Sequence, residues 1–370
     1  MYVSGMVIGA LLLAALFFLP ALFSRHAGVE LRSLLVGAAL AVPMLVAYAW
    51  IPWVLDRYAP EPAWALAMAT GWGGIAACGI AAFVNTGVHL AGDVVGGPAF
   101  GKIISSCVSA PFVEETLKGA FLLFMFRSMK REFDGVVDGV IYATFVALGF
   151  ACVEDVIYYS RAMNDEVLRN KDNHLAIVFV LRGLLTPWGH PLYTAMTGIG
   201  FGIARETTKR WVRWVAPLAG LGAAMFLHCV WNASATISGF LVIVMLPLWF
   251  LFLFAFLGIV IYLVHRKGRI IHAHLQDEVM FGTLTEYELA LITSPVGRIR
   301  ASLSMGGRAG RRFVDAATRL ALCKWHAVRA ARGSSETASL QMIVPLRQEL
   351  SRLRAEAWYA KYPHLTPRAR

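Results

Sequence analysis

Long apolar runs separated by short polar links fill the chain from its first residues to about position 265, after which apolar and basic positions mix at helical spacing. Eight runs are candidates to cross a bilayer: 3–23, 34–55, 63–88, 103–126, 136–159, 175–204, 212–237 and 241–264. Each meets the roughly 20 apolar residues that a hydrocarbon core about 30 Å thick requires of a helix. The sixth run is overlong and is interrupted at Thr186-Pro187-Trp188-Gly189-His190-Pro191. Two prolines there remove backbone donors. Non-helical backbone at membrane depth persists only inside protein or beside a wet cavity, so His190 is expected at a cavity or at a simple proline kink. The first run lacks an early basic segment and a cleavage site, and is expected to be a retained helix rather than a signal peptide.

The pattern predicts an all-α fold: a polytopic membrane helix bundle of about eight transmembrane helices over 1–265, with its chemistry in about 103–238, followed by a basic helical tail over 266–370. Composition agrees. The 370 residues are 58% hydrophobic and 15% charged, against roughly 25% charged in soluble domains. Five cysteines, odd in number and without a CxxC pair, indicate neither a disulfide framework nor a thiolate metal site.

Charge adds orientation. From Arg266 onward there are 18 Lys/Arg against 8 Asp/Glu, leaving 16 against 15 before it, so the net +11 resides almost wholly in the tail. Basic clusters at Arg127, Lys130 and Arg131, at Arg205, Lys209, Arg210 and Arg213, and at Arg266, Lys267 and Arg269 fall on one face of an eight-span bundle. By the positive-inside rule that face is cytosolic, with both termini on it. Arg25 and Arg32 fit the scheme less well, lying on the predicted outer side. Thr285-Glu286-Tyr287-Glu288 is a capping-box signal in the tail. The stretches 311–332 and 336–359 have helical spacing, with a kink expected at Pro345. Such a tail suits a cytosolic surface facing anionic lipid. It carries no nucleic-acid motif, and no nucleic-acid partner is expected.

Ionisable groups at membrane depth cost roughly 2.5–3.5 kcal/mol each and need a compensating role. They concentrate in four consecutive spans: Glu114-Glu115-Thr116-Leu117-Lys118, Glu154-Asp155, His190, and His228 with Asn232. Glu114 and Lys118 are i, i+4, Glu115 and Lys118 i, i+3, and His228 and Asn232 i, i+4, so each set shares a helix face. Either glutamate reaches the lysine, leaving the other free. At about 1.5 Å per residue, Glu114 lies about 16 Å, Glu154 about 8 Å and His228 about 14 Å from the outer ends of their spans, so the three can meet in the outer half of the bilayer. A lone membrane His or Asn is commonly an interhelical hydrogen-bonding group. Four polar clusters on consecutive spans point instead to a site.

The motif Glu114-Glu115-x-x-Lys118, then Phe150-x-x-x-Glu154, His190 and His228 with a polar residue four places on, resembles the PrsW family of intramembrane proteases. That family is related to the CAAX prenyl proteases and bacteriocin-processing enzymes, in which a His stands where this chain has Glu154. The resemblance covers about 107–238. It implies cleavage of membrane-anchored protein substrates, such as anti-sigma factors, in a bacterial cell membrane. It further implies Glu114 or Glu115 as general base, Lys118 holding the other glutamate ionised, and Asn232 as oxyanion donor. Glu154, His190 and His228 would bind a metal, zinc by ligand type, or position water without one.

Three alternatives stay open on sequence alone. A transporter or ion channel would use the same groups and predicts an internal repeat, which the two halves do not display. A scaffold would work through its tail, and a prenyl- or bacteriocin-type peptidase through the same site. Gly198 and Gly202 form a small-xxx-small pair suited to close packing within the chain or in a homodimer.

Overall fold

A computed structural model describes residues 1–370 except 57, 59, 130, 131, 306, 333–337 and 362–370, and every regular element among the described residues is helical. Lys130, Arg131 and Glu336 lie outside the described residues. Two compact units emerge, Met1–Val54 with Glu61–Gly258, and Leu55–Pro60 with Ile259–Arg370.

The apolar runs become α1 (Tyr2–Phe23), α2 (Ala27–Leu55), α3 (63–96), α4 (98–128), α5 (Val136–Arg169), α6 (174–185), α7 (Gly189–Glu206), α8 (Arg210–Ile237) and α9 (Gly239–Met280). Seven helical stretches among the described residues are long and apolar enough to cross a membrane, one of them 66 residues long, Ala63–Ser128. That stretch is a hairpin. Gly97 takes φ +83, open to glycine without strain, and a Cβ at Gly92 would lie 2.6 Å from the Gly101 Cα on the returning limb. With its limbs α3 and α4 counted separately, and α6 with α7 as one broken pass, the eight expected segments are present. The chain is an all-α, multi-pass integral membrane protein.

The first unit centres on α5, whose apolar window is 89% buried while those of α1, α2, α8 and α9 are 11% or less. Helix α5 is apolar on nearly every side from Val136 to Phe150, with Asp138 and Thr144 as exceptions, and the structure surrounds it with other helices rather than leaving it to lipid. Glycines let those neighbours in. A Cβ on either Gly139 of α5 or Gly198 of α7 would come within 2.2 Å of the other's carbonyl oxygen, and one on Gly202 within 2.3 Å of the Val136 Cα. The small-xxx-small pair thus packs within the chain. The Trp72 indole donates to the Leu117 carbonyl at 2.9 Å, tying α3 to α4 beside Lys118. Leu11, Trp50, Leu218 and Leu248, on four outer helices, are exposed as lipid-facing residues would be.

The sixth span is broken where its prolines sit. Helix α6 ends in a π-helical turn, Phe179–Leu185, Thr186–Trp188 are non-helical, and α7 starts at Gly189.

The second unit contains α10 (Glu286–Thr293), α11 (Pro295–Ser304), α12 (Arg308–Arg332) and α13 (Ala338–Lys361). The capping box forms as its spacing predicts: Glu288 N donates to Thr285 Oγ1 at 3.2 Å, and Thr285 N to Glu288 Oε2 at 2.7 Å. Phe313, Leu320, Leu350 and Leu353 are buried between α12 and α13, and Pro345 is accommodated inside α13. Arg298 is buried, donating to Thr318 Oγ1 at 2.8 Å, and burial pulls its guanidinium pKa down to about 10.

Candidate active site

Five helices of the first unit deliver polar groups to one cavity of about 710 Å³, whose walls include Asn85 (α3), Glu114 (α4), Glu154 (α5), His190 (α7), and His228 and Asn232 (α8). Pro187 and Gly189 line it too, so the break in the sixth span borders a cavity rather than forming a plain kink. Glu115 and Lys118 lie behind the wall, fully buried.

The helical spacing on α4 separates the two glutamates. Glu115 is saturated: Oε1 accepts from Lys118 Nζ at 2.8 Å and faces His228 Nδ1 at 3.2 Å, and Oε2 accepts from Thr194 Oγ1 at 2.8 Å. Glu114 is not. Its Oε1 accepts from Asn85 Nδ2 at 3.2 Å, while the buried Oε2 has no hydrogen-bond partner among the described residues. Lys118 Nζ lies 3.8 Å and His228 Nε2 3.9 Å from Oε2.

Partner chemistry fixes both imidazoles. An ionised carboxylate only accepts, so His228 donates from Nδ1 to Glu115 and keeps its lone pair on Nε2, facing Glu114. His190 donates from Nε2 to Glu154 Oε2 at 2.8 Å, and its Nδ1 accepts from the Lys118 ammonium at 3.0 Å. The two rings lie 5.1 Å apart and nearly perpendicular, and Tyr193 stacks on His228 at 5.0 Å. Glu154 is also held by Arg182 Nη2, while Arg182 Nε donates to Asp155 Oδ1 at 2.7 Å.

Ligand atoms of Glu114, His190 and His228 all lie within 4.8 Å of one another. The donor set fits a divalent metal. It offers Glu114 Oε2 and the free Nε2 of His228, whose Nδ1 is oriented by Glu115 in the outer-shell pattern of a metal-binding histidine; His190, oriented by Glu154, has its Nδ1 taken by the Lys118 ammonium and would join an ion only on releasing it. Glu154, grouped with the histidines on sequence grounds, stands outside this trio and orients His190. Asn232 is on the cavity wall, with Nδ2 donating to the Ser106 carbonyl at 2.9 Å.

Residues 61–260 match the family model described as PrsW family intramembrane metalloprotease, more than half of the chain. The chain belongs to the PrsW family. It is 29% identical over 130 residues to Protease PrsW of Geobacillus kaustophilus (strain HTA426), covering 34% of this chain and 49% of that protein. It is 30% identical over 116 residues to Protease PrsW of Bacillus subtilis (strain 168), covering 31% and 47%. The chain thus spans about half the length of these relatives. No solved structure matches it.

Every site group named above falls inside the PrsW match, including three that lie outside the sequence motifs: Asn85 and Arg182 on the cavity wall and Thr194 buried behind it. Their signals in the sequence are faint. Asn85 and Arg182 stand apart from the motif residues in largely apolar runs, and Thr194 stands one helical turn after His190, where a hydroxyl is unremarkable.

Proposed function

We propose that this chain hydrolyses peptide bonds of membrane-anchored proteins at the Glu114–His190–His228 cavity. The observation that carries the reading is Glu114 Oε2, a buried carboxylate oxygen that accepts no hydrogen bond among the described residues, beside an imidazole whose other nitrogen is already committed. Family membership supports it. In this reading Glu114, His228 and, once Lys118 gives up its Nδ1, His190 would hold a divalent ion, zinc matching one carboxylate with two imidazoles. Such an ion, when bound, supplies Lewis acidity and lowers the pKa of water.

The chain's own groups do the rest. Glu115 and Glu154 hold His228 and His190 in single tautomers. Lys118 balances Glu115 and keeps it out of the cavity. Glu114 Oε2 is the proton acceptor for the attacking water wherever the site works without an ion. Asn232 commits one Nδ2 hydrogen to Ser106 and offers the other to the developing oxyanion. We extend the proposal to a bacterial cell membrane with both termini cytosolic, a catalytic bundle over 1–265 and a basic cytosolic domain over 266–370. Anti-sigma factors are the substrate class the family suggests.

The test is reconstitution of purified protein with single-span membrane peptides, anti-sigma segments included, followed by product mass and metal content. Cleavage that a chelator stops and zinc restores is the expected result. Intact peptide across the panel, with folded protein, overturns the reading.

A further inference from the structure

Asn85 is an amide on α3, a helix that contributes none of the motif residues, yet it touches the carboxylate on which the proposed chemistry turns. Its Nδ2 donates to Glu114 Oε1 at 3.2 Å, and its Oδ1 accepts from Ser109 Oγ at 2.7 Å. The direction of both bonds follows from chemistry. An ionised carboxylate can only accept, so Nδ2 must face Glu114; Oδ1 then faces Ser109, whose hydroxyl has to donate. Ser109 sits five residues before Glu114 on the same limb of the hairpin, so amide and carboxylate are fixed by one short loop of hydrogen bonds. With Oε1 tied toward α3, the carboxylate plane is set and Oε2 is left toward His228 Nε2, 3.9 Å away.

We infer that Asn85, locked by Ser109, is a positioning residue that holds Glu114 with Oε2 presented to the cavity. The inference rests on the reading of Glu114 as the working carboxylate. The competing role is ordinary glue between α3 and α4, which would affect stability alone. Ser105 provides the contrast, because its hydroxyl donates to the Asn85 backbone carbonyl at 3.2 Å and leaves the amide untouched.

The test uses the full chain in lipid. Asn85→Leu removes the donor at similar volume, and kcat is expected to fall about 10–100-fold, the usual effect of losing an outer-shell partner, with KM little changed. Ser109→Ala is expected to lower kcat less, and to have no further effect in the Asn85→Leu background, because it acts through the same amide. Ser105→Ala is expected to lower the melting temperature and keep kcat. Losses of kcat that track melting temperature in all three variants, or independent effects of Asn85 and Ser109, overturn the inference. Should the wild type cleave nothing, the hydrolytic reading fails while the placement is still measurable. The infrared band of the Glu114 carboxyl, isolated by subtracting Glu114→Gln, is expected to shift in Asn85→Leu, and an unshifted band overturns the tether.

Discussion

Buried carboxylates occur in both units, and they are treated differently. In the second unit Glu278 is fully buried and both of its oxygens are taken: Arg347 Nε lies 3.0 Å from Oε1 and 2.9 Å from Oε2, and Lys324 Nζ also bonds Oε1. Glu288 likewise closes the capping box through Oε2 and accepts from Arg354 Nε at 2.8 Å through Oε1. In the first unit Glu115 follows the same rule, but its neighbour Glu114 keeps one oxygen unpartnered on a cavity wall. A buried polar atom without a hydrogen bond costs stability; among the described residues Glu114 Oε2 shares that state with Asp93 Oδ1 and Tyr193 Oη, and it is set apart as a carboxylate oxygen 3.9 Å from His228 Nε2 on the cavity wall. The contrast separates carboxylates that hold helices together from one placed for chemistry.

The largest effect expected of any variant that probes this contrast is that of Glu115→Gln. It leaves the Lys118 ammonium buried beside a neutral amide, which costs about 3–5 kcal/mol when a buried pair is broken. It also weakens the acceptor that orients His228, a neutral amide oxygen in place of a carboxylate, so the melting temperature and peptide cleavage should both fall sharply. Wild-type stability in this variant would break the comparison from the structural side. Glu278→Gln comes next: about 3 kcal/mol of stability lost, discounted because Arg347 is partly exposed, with cleavage per folded molecule unchanged in a combined melting and turnover assay. A loss of turnover beyond the folded fraction would assign the second unit a catalytic part. Gly198→Ala drives a methyl into the Gly139 carbonyl and should cost about 1–3 kcal/mol, read as a lower melting temperature. Thr194→Val removes one of the bonds to Glu115 and should cost about 1 kcal/mol, with a modest fall in kcat.

Much of this was legible in the residues themselves, because charge and proline stand out against an apolar background. The eight segments, the break at Pro187 and Pro191, and the convergence of Glu114, Glu115, Glu154, His190 and His228 from separate spans follow from where polar residues interrupt hydrophobic runs. What spacing leaves open is which neighbour each group finds. Glu114 and Glu115 both reach Lys118 on paper, and only the rotation of α4 against α3 and α7 sends Glu115 to Thr194 and His228 and turns Glu114 toward the cavity. That rotation is a tertiary property carried by Asn85 and Thr194, neither of which advertises itself in a one-dimensional pattern. The same limit applies to Glu154, whose Oε2 is shared between His190 and Arg182, a pairing that spacing does not specify. The packing partner of Gly198 and Gly202 was open for a similar reason, since a small-residue stripe specifies closeness without naming the helix it meets.

The account turns on a single atom, Glu114 Oε2, and Glu114→Gln addresses it most directly. In lipid, with a membrane-anchored peptide that the wild type cleaves, turnover is expected to fall by at least about 10³-fold while the melting temperature changes little, since that oxygen accepts no hydrogen bond among the described residues and Lys118, 3.8 Å away, keeps its shorter bond to Glu115. Turnover retained within a few-fold of the wild type, in a variant that folds normally, would contradict it.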